Sequence, residues 1–282
     1  MRLRPVALAV LPLVLVAATA CSPKSDKPAA APTTCTVGKL PLKTKGQLTI
    51  GTDSPAYDPY FSKDDPTNGK GYESAVAYAV AKKLGFSNDQ VKWIKVPFNN
   101  SYAPGPKKFD FDINQISYSA SRAKTVNFSD GYYYASQALL VLDKNKPAVA
   151  SIADLKNLKL GAQTGTTSLT VIRDEIKPTH DPVVYTTTNV AKQALLNGQV
   201  DGIMADLPTA LYISAVEIPH SSIVGQFAST TGTPEHFGLV SEKGSGLTPC
   251  LNQAISALKK DGTLAALEKQ WLSDTLSIPV LK

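Results

Sequence analysis

The chain has 282 residues, of which 43% are hydrophobic and 18% are charged, a balance typical of a folded protein with a full apolar core. The formal net charge is +6, but Lys and Arg are scattered and no basic run exceeds two residues. This distribution gives no continuous basic surface, so we expect no nucleic-acid partner.

The first 20 residues have the pattern of a secretion signal. Arg2 and Arg4 make the start positive, and Val6 to Ala20 form an apolar run shorter than the roughly 20 residues that span a bilayer. Ala18-Thr19-Ala20-Cys21 is similar to the lipobox of bacterial lipoproteins, in which the Cys is acylated and becomes the mature N-terminus. We expect cleavage after residue 20, which removes two positive charges and lowers +6 to +4. The alternative is an ordinary cleaved signal followed by a chance Cys.

Residues 21–44 are predicted to be a lipid-anchored, flexible tether. Ser22 to Thr34 contains three Pro and has no hydrophobic periodicity, so it favours an extended, mobile chain. We therefore place the protein outside the cytoplasm, anchored to the outer face of the cell membrane through the lipid on Cys21. Cys35 and Cys250 are then the remaining thiols, and in an oxidising compartment we expect them to form a disulfide. Two free thiols are the alternative.

Predicted strands and helices alternate in the first half of the mature chain. The strands are Leu48–Thr52, Val91–Val96 and Phe111–Ser117, and the helices are Tyr72–Leu84 and a short one from Ser119 through Arg122 to Val126. Gly85 stands where a helix C-cap glycine belongs. This order predicts a parallel α/β sheet.

The second half repeats this order. The predicted strands are Leu158–Ala162, Val183–Tyr185 and Val200–Ala205; the predicted helices follow Gly165–Ser168, Asn189 and Asp206, and two more begin at Thr248 and Thr263. Asp206 precedes Leu207-Pro208, a favoured helix start with an Asx N-cap and Pro in the first turn. The mature chain has length for roughly two domains.

Polar residues follow four of these strands. In open α/β sheets, ligands bind outside the carboxyl ends of the strands. The polar segments there are Asp53–Tyr57, Ser117–Arg122, Gln163–Ser168 and Asp206. Together they offer a carboxylate, a guanidinium, hydroxyls, helix N-termini and an aromatic ring, which are the groups that a zwitterion needs.

Five motifs at these positions resemble the family 3 solute-binding proteins of polar amino acid ABC transporters. They are Gly51-Thr52-Asp53 with Tyr57 and Pro59-Tyr60-Phe61, Ser117 to Arg122 with Val126 to Asp130, Gln163 to Ser168, Val200 to Asp206, and Lys260 to Thr263 with Lys269-Gln270-Trp271. The resemblance covers about residues 45 to 275. It departs from the family after Gly71-Tyr72-Glu73, where an acidic residue is replaced, and at Tyr102 to Pro106, which is richer in Pro.

The resemblance implies an α/β, two-lobed periplasmic-binding-protein fold (Venus flytrap, type II) with two hinge crossings. Lobe 1 is predicted to comprise residues 45–136 and 236–282, and lobe 2 residues 137–235. The implied partners are a free polar amino acid and the permease subunits of an ABC importer, with the binding protein itself a monomer. A ligand that contacts both lobes would drive hinge closure.

The chemistry of the residues suggests a role for each. Arg122 can hold an α-carboxylate with two parallel N–H bonds. Gly165, Thr166, Thr167 and Ser168 present backbone N–H groups to the same carboxylate. Asp206 can accept from the α-ammonium, and Ser117 and Ser119 can serve either end. Tyr57 can stack over the ligand. Each residue has an alternative interpretation. Arg122 could lie on the surface, and Tyr57 in the core or on the surface. The Gly165 loop, Asp206, Ser117 and Ser119 could serve only as helix caps.

Asp53 is predicted to face the ligand side chain, as an Asp at this position does in glutamine and basic amino acid binders of the family. Its carboxylate would exclude glutamate and aspartate and would disfavour aliphatic ligands. Because no second acid is evident nearby, glutamine and asparagine are slightly favoured over Arg, Lys and His. The alternative is a turn residue facing solvent.

An enzyme is not expected. The three His residues lie in loops without metal-ligand spacing, and no His-Glu-x-x-His, Gly-x-Ser-x-Gly, P-loop or Rossmann pattern occurs. We therefore predict no catalytic residue, metal or cofactor. Two other functions stay open: a ligand-sensing protein for a membrane receptor, and an amino-acid-precursor dehydratase on the same fold.

Overall fold

The computed structural model describes residues 34–227, 234–272 and 278–281. The strands are β1 (Leu48–Thr52), β2 (Val91–Lys95), β3 (Phe111–Asp112), β4 (Val126–Tyr134), β5 (Gln137–Leu142), β6 (Leu160–Gln163), β7 (Val183–Tyr185), β8 (Gly202–Asp206), β9 (Ser221–Phe227) and β10 (His236–Glu242). The α-helices are α1 (Tyr72–Lys83), α2 (Phe98–Ser101), α3 (Thr167–Val171), α4 (Thr188–Leu196), α5 (Leu207–Tyr212), α6 (Thr248–Lys260) and α7 (Thr263–Trp271). A π-helical turn continues α3 over Ile172–Ile176 and α5 over Ile213–Glu217.

The strands form two five-stranded sheets, one in each lobe. Lobe 1 has the order β2-β1-β3-β10-β4, and lobe 2 has the order β7-β6-β8-β5-β9. The first three strands of each order are parallel, whereas β10 and β5 run antiparallel to their neighbours. The prediction of a two-lobed α/β fold of the type II periplasmic-binding class is confirmed. The carboxyl ends of the parallel strands in each lobe face the space between the lobes.

Apolar helix faces build the core of lobe 1. All five residues of β1 are buried, as expected for a central parallel strand covered on both faces. The helices α1, α6 and α7 cover this sheet, with Val76, Leu251 and Leu264 in the same core. The predicted disulfide is present between Cys35 and Cys250, with 5.4 Å between the Cα atoms, and it ties the start of the folded body to α6.

The tether is shorter than predicted. Leu40 is only 8% exposed and belongs to the lobe 1 core, and Val37 and Leu42 pack against that core. Residues 34–44 are therefore part of lobe 1, because their apolar side chains are buried there. The predicted signal peptide and Cys21 lie outside the described residues.

The C-terminal segment also differs from its predicted assignment to lobe 1. The chain crosses between the lobes from β4 to β5 and from β9 to β10, which are the two expected crossings. However, Ile278–Leu281 lies on lobe 2, where the Gln226 N–H donates to the Pro279 carbonyl at 2.8 Å and the Leu281 N–H donates to the Gln226 carbonyl at 2.9 Å. Leu281 is buried in a lobe 2 core with Phe227. Residues 278–281 therefore belong to lobe 2.

Two predicted elements of lobe 1 are shorter in the structure. The helix expected from Ser119 to Val126 is a single 3₁₀ turn over Arg122–Lys124, and Val126 already begins β4. The strand expected over Phe111–Ser117 ends at Asp112. No helix within the described residues is long and apolar enough to cross a membrane.

Candidate ligand-binding site

A cleft of about 810 Å³, counted out to its open mouth, lies between the two lobes. Eight of the predicted site residues line it: Asp53, Tyr57, Ser117 and Arg122 from lobe 1, and Thr166, Thr167, Ser168 and Asp206 from lobe 2. Ser119 and Gly165 line a neighbouring cavity instead. Ser119 Oγ accepts from the Arg122 N–H at 3.2 Å, so this hydroxyl supports the turn that carries Arg122.

Arg122 is a buried cation that already spans both lobes. Arg122 is only 8% exposed to solvent. Nη1 donates to the Ser117 carbonyl of lobe 1 at 2.6 Å, and Nη2 donates to the Gly165 carbonyl of lobe 2 at 2.7 Å. Burial lowers the pKa of Arg122, and the nearby Tyr102, Glu235 and Asp206 oppose that shift. The surface-Arg alternative is therefore wrong.

Asp206 faces the cleft from the end of β8. It stands at the N-cap of α5 but its side chain makes no capping bond there. Its Oδ1 instead accepts from Gln137 Nε2 at 2.7 Å. Burial raises the pKa of Asp206 well above its usual range, and the neighbouring Glu235 raises it further. A ligand ammonium would relieve this unfavourable burial of negative charge.

Gln137 and Glu235 line the neighbouring cavity and extend the hydrogen-bond network of Asp206, and the sequence analysis missed both. Gln137 Nε2 lies 3.1 Å and 3.2 Å from the two Glu235 carboxylate oxygens, and Gln137 Oε1 accepts from Ser168 Oγ at 2.6 Å. Ser117 Oγ donates to Glu235 Oε1 at 2.5 Å. Both missed residues lie where the chain crosses between the lobes, so no strand-end pattern points to them.

The loop before α3 approaches the same place from lobe 2. Gly165 has a positive φ of 77°, a conformation that glycine adopts without strain. Thr166 Oγ1 accepts from the Leu169 N–H at 3.3 Å and caps α3. Thr167 Oγ1 lies 3.5 Å from Ser117 Oγ of lobe 1 and accepts from Gln137 Nε2 at 3.2 Å. The loop therefore brings hydroxyls and N–H groups to within reach of the Arg122 side of the cleft.

Asp53 lies at the cleft wall of lobe 1, half-buried. Its Oδ1 accepts from the Ser54 N–H at 2.7 Å, and its Oδ2 accepts from the Phe98 N–H at 3.1 Å. Two backbone donors thus fix the carboxylate on the cleft wall, which argues against a turn residue that faces solvent.

Tyr57 projects from lobe 1 toward α4 of lobe 2. Burial raises the pKa of Tyr57, the Asp53 carboxylate adds to the rise, and hydrogen bonding to the Asn189 backbone and the Thr187 hydroxyl opposes it. Its ring centroid lies 5.8 Å from Lys192 Nζ. The ring is therefore a wall of the cleft between the lobes, not a surface residue.

Additional charged residues line the cleft beside Asp53, and the expectation of no second acid there is wrong. Asp58 and Glu217 both line it, and so does Lys192, which is 9% exposed. Lys192 Nζ pairs with Glu217 Oε2 at 2.6 Å. Asp58 directly follows the predicted Asp53–Tyr57 segment, whereas Lys192 and Glu217 come from α4 and the turn after α5, which no local pattern brings together.

Glu73 supports the floor of the cleft. It is fully buried in α1, and its carboxylate accepts from the Gln115 N–H at 2.7 Å, from Gln115 Nε2 and from the Tyr132 hydroxyl. Gln115 lines the cleft and has a positive φ of 48°. Burial raises the pKa of Glu73 to about 7, although these hydrogen bonds oppose the rise. Glu73 thus holds the cleft residue Gln115 in place.

The geometry defines a two-lobed binding protein whose cleft carries a cation, carboxylates and hydroxyls from both lobes. A profile of "Bacterial extracellular solute-binding proteins, family 3" matches residues 48–274, so the chain belongs to that family. It is a solute-binding protein and not an enzyme. Among the described residues, no group of three or more His, Cys, Asp or Glu side chains is arranged to hold a metal ion.

Individual relatives are similar over most of their length. The L-cystine-binding protein TcyJ of Escherichia coli (strain K12) is 28% identical over 82% of this chain and 84% of its own. The L-cystine-binding protein TcyA of Bacillus subtilis (strain 168) is 29% identical over 84% of this chain and 85% of its own. The solved structure of an ancestral arginine-binding protein bound to glutamine is 30% identical, with a TM-score of 0.67 over 82% of this chain and all of that one.

Proposed function

We propose that the protein captures a polar amino acid in the inter-lobe cleft and delivers it to the permease of an ABC importer. The observation that carries the proposal is the placement of Arg122 on lobe 1 and Asp206 on lobe 2 in one cleft. A guanidinium suits the α-carboxylate, and a carboxylate suits the α-ammonium. Because the two groups come from different lobes, an amino acid that binds both stabilises the closed form.

Asp53 and Lys192 support a preference among polar side chains. Asp53 brings an acceptor from lobe 1, and Lys192 brings a donor from lobe 2 into the same cleft. A carboxamide uses both, since it accepts through oxygen and donates through nitrogen. A guanidinium or ammonium side chain would meet Lys192 as a like charge, although its partner Glu217 and the cleft residue Asp58 offset part of that repulsion. A glutamate side chain would meet Asp53. We therefore place glutamine and asparagine slightly ahead of Arg, Lys and His, and we exclude glutamate and aspartate.

The test begins with a thermal-shift screen against the twenty amino acids, because a ligand that binds only the folded state raises its stability. Calorimetry with glutamine, asparagine, arginine and glutamate then follows for the wild type and Asp53→Asn. We expect glutamine to bind more tightly than glutamate to the wild type, and the gap to narrow in the variant. Equal affinity of the wild type for glutamate and glutamine would contradict the assignment of Asp53.

L-Cystine is a second candidate ligand, favoured by the same pair of charges. Cystine has a second α-amino acid group. The ammonium of that group can donate to the Asp53 carboxylate, and its carboxylate can pair with Lys192. The names of two similar relatives give the same ligand for those proteins. Lys192→Met separates the candidates: it should weaken cystine binding strongly, because a full carboxylate loses its counter-charge, and glutamine binding only modestly.

We also propose that Cys21 is acylated and anchors the mature protein, as a monomer, to the outer face of the cell membrane. The lipobox-like segment and the Pro-rich stretch after it support this. Mass spectrometry of the mature N-terminus tests the lipid, and Cys21→Ala should release the protein from the membrane fraction. Amino acid uptake by a deletion strain separates transport from sensing: unchanged uptake would favour a receptor partner.

A further inference from the structure

Tyr102 lies beside Arg122 in a segment that departs from the family pattern. It follows the four-residue helix α2, in the Pro-rich stretch that ends at Pro106. Its backbone is nevertheless fixed: Thr125 Oγ1 donates to the Tyr102 carbonyl at 2.8 Å, and Lys107 Nζ donates to the Asn100 carbonyl at 2.9 Å. The backbone that carries the ring is therefore fixed by contacts within lobe 1.

The ring of Tyr102 covers the guanidinium. Its centroid lies 4.3 Å from Arg122 Cζ, and the Phe98 ring lies 5.6 Å from the same atom. The two rings contact each other edge to face, with centroids 5.5 Å apart. Cation–π contacts of a desolvated guanidinium are among the stronger ones, so these rings restrict the plane of the Arg122 fork.

The hydroxyl of Tyr102 reaches the opposite lobe. It donates to the Gly165 carbonyl at 3.3 Å, the carbonyl to which Arg122 Nη2 also donates. In the structure, the side-chain oxygen of Asn99 is also placed to accept from the same hydroxyl. A hydroxyl has one proton, so donation to Gly165 requires Asn99 to present its amide nitrogen to the hydroxyl oxygen, an orientation that the amide can adopt.

Gly165 permits this contact because it lacks a side chain. A Cβ at this position would stand 2.6 Å from the Tyr102 hydroxyl oxygen and would also collide with the Asn99 amide. The backbone of lobe 2 can therefore approach the Tyr102 hydroxyl and Arg122 directly.

We propose that Tyr102 is a latch of the closed cleft: its ring positions the carboxylate-binding Arg122, and its hydroxyl ties lobe 1 to Gly165 of lobe 2. This inference rests on the proposed function for the role of Arg122, while the contact between the lobes stands apart from it. Tyr102 is a positioning residue, because it acts on the ligand through Arg122 and through closure. Its effect belongs to retention of the ligand and not to its capture.

The test compares Tyr102→Phe, which keeps the ring, with Tyr102→Leu, which removes it. Tyr78→Phe is the matched control, because the Tyr78 hydroxyl also donates to a backbone carbonyl, that of Thr67 at 3.0 Å, but on α1 away from the cleft. Protein is loaded with radiolabelled L-glutamine, and release is followed after excess unlabelled glutamine is added. L-Cystine and L-arginine serve as parallel probes.

We expect Tyr102→Phe to release its probe about three- to tenfold faster than the wild type with an unchanged association rate, since one neutral hydrogen bond is lost. Tyr102→Leu should release it faster still. Small-angle scattering without amino acid should give both variants a larger radius of gyration than the wild type and Tyr78→Phe. If Tyr102→Phe matches the wild type in release rate and in radius, the latch is refuted. If the wild type binds no probe, the proposed function fails, and the scattering comparison alone decides the latch.

Discussion

Replacement of Arg122 by Ala is the most direct test of the site. Arg122 is 8% exposed and its guanidinium donates at 2.6 and 2.7 Å to one carbonyl from each lobe, so the cation is largely desolvated before any ligand arrives. When the cleft closes over a bound ligand, the ligand carboxylate also loses its contact with water. Without Arg122, that carboxylate would be buried with no counter-charge.

The magnitude follows from this burial. Removal of one partner of a buried ion pair costs about 3–5 kcal/mol, because the other charge stays buried and unpaired. This corresponds to about two to four decades of affinity. Arg122→Lys should lose less, since it keeps the charge but not the two parallel N–H bonds.

Isothermal calorimetry with the tightest amino acid from the thermal-shift screen measures the change. Arg173→Ala is the matched control, because Arg173 is an exposed residue of the same type on lobe 2. Near-ultraviolet circular dichroism should show an intact fold in both variants. A loss of less than fivefold for Arg122→Ala, with the fold preserved, would remove Arg122 from the ligand site.

Three further predictions concern buried charges and the disulfide. Burial and Glu235 raise the pKa of Asp206, so protonation of Asp206 competes with binding of the ligand ammonium. Amino acid affinity measured by calorimetry should fall by up to tenfold per pH unit on acidification. Asp206→Asn should bind weakly and show no such pH dependence. Burial raises the pKa of Glu73 from 4.5 to about 7, so the stability that protonated Glu73 contributes is complete below pH 4.5 and is lost as pH rises through 7. Urea titrations at several pH values should show a loss of about 3 kcal/mol at most in the free energy of unfolding of the wild type. Glu73→Gln should not show this loss. Cys35 and Cys250 close a loop of 215 residues, so the double variant Cys35→Ser, Cys250→Ser should have a free energy of unfolding lower by up to about 5 kcal/mol in the chain-entropy model. Labelling of both thiols in native oxidised protein would contradict the disulfide.

Strand-end patterns predicted parallel α/β sheets and most of the cleft lining, and the family resemblance implied the two-lobed fold. Asp53 follows the last residue of β1 and Asp206 is the last residue of β8, and both line the cleft, because ligands bind at the carboxyl ends of parallel strands. The Cys35–Cys250 pair followed from counting thiols in an oxidising compartment. These inferences used local sequence and one topological rule.

Residues that act through long-range packing escaped prediction. Glu235 and Gln137 meet across 98 positions at the crossings between the lobes, and Lys192 meets Glu217 across 25 positions between α4 and the turn after α5. Neither pair belongs to a periodic pattern. Val280 forms an isolated parallel bridge with Gln226, and a backbone pairing of this kind leaves no side-chain pattern in the sequence.

The distribution of charge explains why closure and recognition are one event. Arg122 and the carboxylates of Asp206 and Glu235 are linked through Ser117 and Gln137, so cation and anions share a single hydrogen-bonded network across both lobes. Such a network favours a ligand that carries both charges at a fixed separation, since each end then finds its complement. An amine or a carboxylic acid alone would satisfy one end and bury the other without a partner. We therefore expect free α-amino acids to close the cleft and simple monofunctional analogues not to close it.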